Sequence, residues 1–270
     1  MESKHTPTIL TIAGFDPYGG AGIQIDTKTI HALGGYALSV ITSVTAQNSR
    51  GVTGVESVSS EMLHLQLTTL LEDVKVDAVK IGMLANAGLI EVVADIIEKY
   101  HLPNIILDPV LVSSSGRQLL EPDAVKVLVS RLFPLSRLVT PNLMETNTLL
   151  GSDYKGVLKE NRLMAQELFA LGIDNVLLKG GHMLEKEAVD CLVEPLGMTY
   201  FSTPRVKTAH THGTGCLLSS AIAVYIAKGE TLVLSVKEAK KFLYEKLEYA
   251  SLLNLNYMVR SNVIRKEPIF

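Results

Sequence analysis

An α/β fold built on a doubly wound, mostly parallel sheet is predicted by two features of this 270-residue chain. Short apolar runs of strand length alternate with longer runs of helical period from one end to the other, the pattern of repeated β-α units. Chemistry-bearing residues then fall where the strand-like runs stop: Asp16, Gln47, Asp108, Asn142 and Lys179, with Met83 among them. Open α/β sheets bind ligands at the carboxyl ends of their strands, so this coincidence argues for an enzyme.

In order, Thr8 to Ala13 reads as a strand, closed by a loop with four glycines between residues 14 and 22. Ile23 to Leu33 is helical and Tyr36 to Ala46 a second strand, ending at Gln47-Asn48-Ser49-Arg50-Gly51. Ser60 to Leu71 reads as a capped helix. Ala78 to Ile81 is a strand running into Gly82-Met83-Leu84. Ala87 to Tyr100 has its apolar residues at helical spacing, and Ile105 to Leu107 is a buried strand ending in Asp108-Pro109. Ala124 to Leu132 is helical, Arg137 to Thr140 a strand, and Pro141-Asn142 opens the helix Leu143 to Leu150. Leu163 to Leu171 is a helix, Val176 to Leu178 a strand before Lys179-Gly180-Gly181-His182, and Ala188 to Val193 and Thr199 to Ser202 are further strands. Two helices follow, Leu217 to Lys228 and Ser235 to Leu253. The polar loop from Gly151 to Gly156 is too short for a linker, so one domain spanning residues 1–270 is expected.

A chain 47% hydrophobic and 20% charged can fill one large core. A net charge of −3 leaves no electrostatic footprint for nucleic acid. No apolar run is long enough to span a membrane, and Met1 to Thr8 is too short and polar for a signal peptide. The two cysteines, Cys191 and Cys216, form no C-x-x-C pair, and a reduced, cytoplasmic setting is expected.

The stretch A-H-T-H-G-T-G-C-L-L, residues 209 to 218, carries the sharpest chemical signal. Gly213 and Gly215 let the backbone turn and approach a ligand. If the following apolar run is a helix, the N–H groups of Gly213, Thr214, Gly215 and Cys216 gather at its positive end and suit a phosphate or a developing anion. Taken alone, G-T-G reads first as a structural turn capping a helix. Cys216 in the first turn adds a thiol whose pKa is expected to fall there. Asp108, Asn142 and Glu145 supply oxygen ligands of the sparse kind that Mg²⁺ uses beside phosphates, although Glu145 also suits the first turn of any helix. The amide of Gln47 can read the edge of a small ring. Lys179 can touch a nucleotide phosphate or stand solvated at the surface. His182, His210 and His212 have no metal-ligand spacing, and packing or loop hydrogen bonds are expected of them. Cys191 reads as a core thiol.

The blocks T-I-A-G-F-D-P-Y-G-G-A-G-I-Q-I-D-T-K-T (11–29), V-T-A-Q-N-S-R-G-V (44–52), K-I-G-M-L (80–84), D-P-V (108–110), V-T-P-N-L-M-E (139–145), L-K-G-G-H (178–182) and T-H-G-T-G-C (211–216) resemble the hydroxymethylpyrimidine/phosphomethylpyrimidine kinases of thiamin biosynthesis. They follow in order from about residue 8 to 228. The resemblance implies the three-layer ribokinase-like fold shared with pyridoxal kinases, helices on both faces of the sheet, a homodimer, and phosphoryl transfer from ATP with Mg²⁺. The acceptor it implies is the hydroxymethyl group of 4-amino-5-hydroxymethyl-2-methylpyrimidine, then the monophosphate. It further implies a ring pocket of Gln47, Gly14, Asp26, Met83 and Val110. Asp108, Asn142 and Glu145 would hold the metal, Lys179, Asn142 and Thr211 would meet ATP, Gly213, Thr214 and Gly215 would form an anion hole, and Cys216 would face the hydroxyl as base. Phe15 and Tyr18 stand where relatives carry small residues, which keeps open a pyridoxal kinase; a non-catalytic pyrimidine binder is the rival outside enzymes.

Overall fold

The computed structural model describes residues 5–113, 116–180, 187–208 and 211–250; His182, His210 and the end of the helix expected to reach Leu253 lie outside them. Nine strands form one mixed sheet in the order β3-β2-β1-β4-β5-β6-β7-β8-β9. β1 (Thr8–Phe15), β2 (Tyr36–Asn48), β4 (Ala78–Ile81), β5 (Ile105–Leu107), β6 (Leu138–Val139) and β7 (Val176–Leu178) run parallel. β3 (Gly51–Ser57), β8 (Glu187–Glu194) and β9 (Gly197–Pro204) are antiparallel additions. The expected fold class therefore stands, with one strand more than the sequence indicates at the β3 edge. The run G-V-T-G-V-E-S is half exposed and interrupted by glycine, so nothing local marks it. It becomes a strand because β2 is long and its second half, Ser43 to Asn48, pairs with it.

Alternation along the strands sorts the core into two layers. Leu10, Ile12, Val79, Ile81, Ile105 and Leu107 face one layer. It is covered by α2 (Ser60–Leu71), α3 (Ala87–Tyr100), α4 (Ala124–Val127, continued by a π-helical turn), α5 (Leu143–Leu150) and α6 (Asn161–Phe169). Ile9, Ala78, Ile106 and Leu177 face the other, beneath α1 (Gly22–Ala32), α7 (Thr214–Ala227) and α8 (Leu232–Glu248). Two residues beyond each of those four stand Thr11, Lys80, Asp108 and Lys179. The strand period thus carries four polar groups to one face of the sheet.

The chain leaves β1 toward β2 and returns on the far side of β1 as β4. Such a switch opens a crevice above the carboxyl ends of the two strands. Below it, Lys80 Nζ lies 3.0 and 2.8 Å from the two carboxylate oxygens of Asp26 on α1, and both side chains are 0% exposed. Asp26 also accepts from Thr11 at 2.6 Å and from Ser220 on α7 at 2.8 Å. One carboxylate thereby joins β1, α1, β4 and α7.

Breaking a buried ion pair leaves an uncompensated charge, while removing both charges spares that penalty. Lys80→Met is expected to cost about 3–5 kcal/mol in urea unfolding. Adding Asp26→Leu should restore at least half of it; a double variant no more stable than the single one would refute this account.

Candidate active site

Above the switch point lies a cavity of about 660 Å³. Its wall holds Gly14, Phe15, Gln47, Met83 and Val110 together with Asp108, Asn142, Glu145, Lys179 and the segment Thr211 to Cys216, and, with Asp190 on β8 marking the end away from β2 in the strand order, Arg205, Lys240 and Tyr244. Nearly all the residues singled out in the sequence meet there. Asp26 does not: it lies behind the wall, wholly consumed by Lys80, Thr11 and Ser220. Phe15 lines the cavity, whereas Tyr18 is not among the lining residues.

Two backbone approaches shape the crevice. Gly22 has φ +57° and Gly213 φ +80°, and a Cβ on either would overlap a carbonyl oxygen, that of Gly14 or Gly20 respectively. Only glycine adopts these angles without a side-chain penalty. The loop after β1 therefore seats directly on the start of α7, which begins at Thr214, three residues before the expected Leu217, with Gly213 as its N-cap and no side-chain cap. The first turn of α7 lines the cavity, and it is the positive end of a 14-residue helix.

At that turn the expected fall in the Cys216 pKa is reversed. Burial pushes the thiol up to about 11, Asp26 and Asp108 push the same way, and Lys80 and the N–H of Gly22 pull against them. Position at a helix end is outweighed by loss of water.

Asp108, at the end of β5, lies 2.7 Å from Lys179 Nζ, and Glu145 Oε2 lies 3.7 Å from the same ammonium. Both carboxylates press the Lys179 pKa upward against burial. Asn142 and Glu145 form the capping box of α5: Glu145 N–H donates to Asn142 Oδ1 at 2.9 Å, and Asn142 N–H to Glu145 Oε2 at 2.8 Å. The two side chains expected from the sequence to hold a metal are thus also the cap of α5. Burial pushes Glu145 up to about 7, with Lys179 opposing and Asp108 reinforcing. Two nearby buried carboxylates with hard oxygen donors fit Mg²⁺, whose shell is completed by phosphates and water. Among the described residues no cluster of three or more His, Cys, Asp or Glu could hold a metal alone.

Several wall residues had no role in the sequence reading. A lysine inside the apolar run A-V-K-I must be paired if that run is a buried strand, which was the available signal for Lys80. Asp16 was noted only as a strand-end residue; it accepts N–H bonds from Tyr18, Gly20 and Ala21. Its other neighbour is His212, and His212 meets Gln47. Lys240 and Asp190, 2.7 Å apart at the far end, carried no sequence signal, being separated by 50 residues.

A family model described as phosphomethylpyrimidine kinase matches residues 16–259. A hydroxymethylpyrimidine/phosphomethylpyrimidine kinase of Escherichia coli K12 is 42% identical over 248 residues, covering 92% of this chain and 93% of the relative. Among solved structures, phosphomethylpyrimidine kinase from Clostridium difficile 630 has a TM-score of 0.78 at 37% identity, covering 89% of this chain and 99% of that one. The Bacillus subtilis pyridoxal kinase, solved as an ADP complex, has a TM-score of 0.86 at 32% identity, covering 93% and 95%.

A carboxyl raised from an ordinary 4.5 to about 7 holds its proton more tightly in the folded chain than in the unfolded one. Its contribution to stability is complete below pH 4.5 and is lost as pH rises through 7. Glu145→Gln keeps the capping geometry and removes the titration. In EDTA its stability relative to the parent should grow between those limits, by up to about 3 kcal/mol. Parallel stability curves across that range would show that Glu145 ionises freely.

Proposed function

The chain belongs to the phosphomethylpyrimidine kinase family, and we propose that it phosphorylates the hydroxymethyl group of an aminopyrimidine with ATP, then the monophosphate. The observation that supports this most is the continuity of one cavity. A ring-reading amide at one end shares it with paired carboxylates, a lysine and an uncapped helix N-terminus. Phosphoryl transfer needs alignment and charge neutralisation more than covalent help, and this inventory supplies both.

In this reading Gln47 bonds the ring, with Gly14, Met83 and Val110 around it. Asp26 supports the pocket from behind rather than lining it. Asp108, Asn142 and Glu145 hold Mg²⁺, which offsets phosphate charge. Lys179 exchanges part of its contact with Asp108 for phosphate oxygens, and Asn142 and Thr211 flank the nucleotide. The base of ATP extends toward Arg205 and Tyr244. The amides of Gly213, Gly215 and Cys216 face the charge that develops on the transferring group, whereas the Thr214 amide, expected among them, donates to the Thr211 carbonyl oxygen at 3.3 Å.

Cys216 keeps its place opposite the hydroxyl, but with a thiol near 11 no thiolate stands ready in the ligand-free site. Deprotonation of Cys216 then belongs to the substrate complex: the thiol proton passes to solvent, the thiolate takes the hydroxyl proton, and that transfer comes late, as a loose transition state allows. Cytoplasmic thiamin biosynthesis and a homodimer complete the proposal. A pyridoxal kinase is the second reading, favoured by the likeness to the Bacillus subtilis enzyme.

ATP consumption with Mg²⁺ should be fastest with 4-amino-5-hydroxymethyl-2-methylpyrimidine or its monophosphate. A faster rate with pyridoxal would install the second reading, and no turnover with any of the three would end the kinase assignment. Cys216→Ala is expected to lose about 10²-fold in single-turnover rate at saturating ATP. A loss below about threefold would assign the rate to the amides instead.

A further inference from the structure

One nitrogen of His212 stands between two groups that make opposite demands on it. Nε2 lies 2.8 Å from the carboxamide nitrogen of Gln47 and 3.1 Å from Asp16 Oδ2. A ring nitrogen carries a hydrogen or a lone pair, so it cannot accept from Gln47 while donating to Asp16. A second conflict sits at the other end of the same carboxamide. Thr45 Oγ1 lies 3.1 Å from Gln47 Oε1 and 3.0 Å from the carbonyl oxygen of Phe15, and its hydroxyl has a single hydrogen for these two acceptors.

One change resolves both. Nitrogen and oxygen of a carboxamide are alike in size, so the surrounding protons decide which way round it stands. Asp16 is the fixed point. Its carboxylate accepts three backbone N–H bonds, from Tyr18, Gly20 and Ala21, and these favour the ionised form whatever His212 does. A carboxylate so held calls for a donor, which places the hydrogen on His212 Nε2. The end of Gln47 facing that hydrogen must then be its oxygen. At the far end the carbonyl of Phe15 can only accept, so it takes the Thr45 hydrogen. The Thr45 lone pairs then face Gln47 and call for its amino group. Both neighbours demand the same turn.

We infer that His212 and Thr45 are positioning residues that hold the Gln47 carboxamide with its oxygen toward His212 and its amino group toward Thr45, and thereby set the ring specificity of the pocket. The turned carboxamide presents one remaining acceptor and one remaining donor to the cavity in a fixed order. An aminopyrimidine offers a ring nitrogen beside an amino group, and that pair is matched only one way round. A pyridine ring without the amino group makes no such paired demand. The bulge opposite Ala46 and Gln47, where the β3 register skips from Gly54 to Val52, aims the side chain at this neighbourhood.

The consequence for specificity rests on the aminopyrimidine reading above; the orientation itself does not, and two measurements separate them. In the ligand-free protein, nitrogen-15 NMR should show His212 Nε2 bearing a hydrogen, and a bare Nε2 would overturn the inference. By calorimetry, His212→Leu should weaken 4-amino-5-hydroxymethyl-2-methylpyrimidine binding about tenfold and pyridoxal less than about threefold. The same substitution in a Gln47→Ala background should have no effect on the pyrimidine. Equal losses for both rings, or an undiminished loss without Gln47, would refute positioning through the carboxamide. Thr45→Val, which keeps the shape of the side chain, carries the same cycle if the histidine variant fails to fold. A parent protein that binds pyridoxal and not the pyrimidine would sink the substrate reading, with the NMR result still judging the orientation.

Discussion

A lysine ammonium deprived of water is held in a fold only when its charge is answered at close range, and here Asp26 answers it with both oxygens. The pair needs further donors to complete the carboxylate, which come from Thr11 on β1 and Ser220 on α7. Four elements distant in sequence are thereby drawn to one point under the switch between β1 and β4. Ser220 lies one turn beyond Cys216, so the placement of the thiol over the crevice follows from the same contact. The arrangement also fixes the background against which Cys216 titrates, with a cation and its counter-anion both within range.

Above that point the two halves of the cavity are built on different principles. In the half built on Asp108, Glu145 and Lys179 the ammonium stands between the two carboxylates, and Glu145 is still raised by burial. A ligand entering there exchanges partners with groups already paired. The half around Gln47 relies on shape and on hydrogen-bonding dipoles. Its walls come close because Gly22 and Gly213 bring backbone to within contact of Gly14 and Gly20, and its polar edge is a single carboxamide flanked by Thr45 and His212. Ionic strength and pH should act mainly on the first half, and hydrogen-bond matching on the second.

The order of strands and helices, and the list of residues at strand ends, were legible in the chain itself. Periods of two and of 3.6 residues are properties of the local backbone, and a parallel sheet puts every strand end on one rim. Asp108, Asn142 and Lys179 could therefore be brought to one site before any contact was known. The capping box of Asn142 and Glu145 was equally local, its spacing of three residues being the signature.

Three matters were decided only by the tertiary structure. β3 exists because the overhang of β2 offers it a partner, and its own residues carry no periodic signal. Asp26 left the pocket wall because Lys80, 54 residues later, claimed it. Cys216 kept its proton because burial outweighs the field of a helix end. Each outcome depends on a partner or on a loss of solvent, and neither is written in the spacing of nearby residues. The chain alone thus determined which groups meet at the rim of the sheet; folding decided their ionisation, their partners and the side from which each one acts.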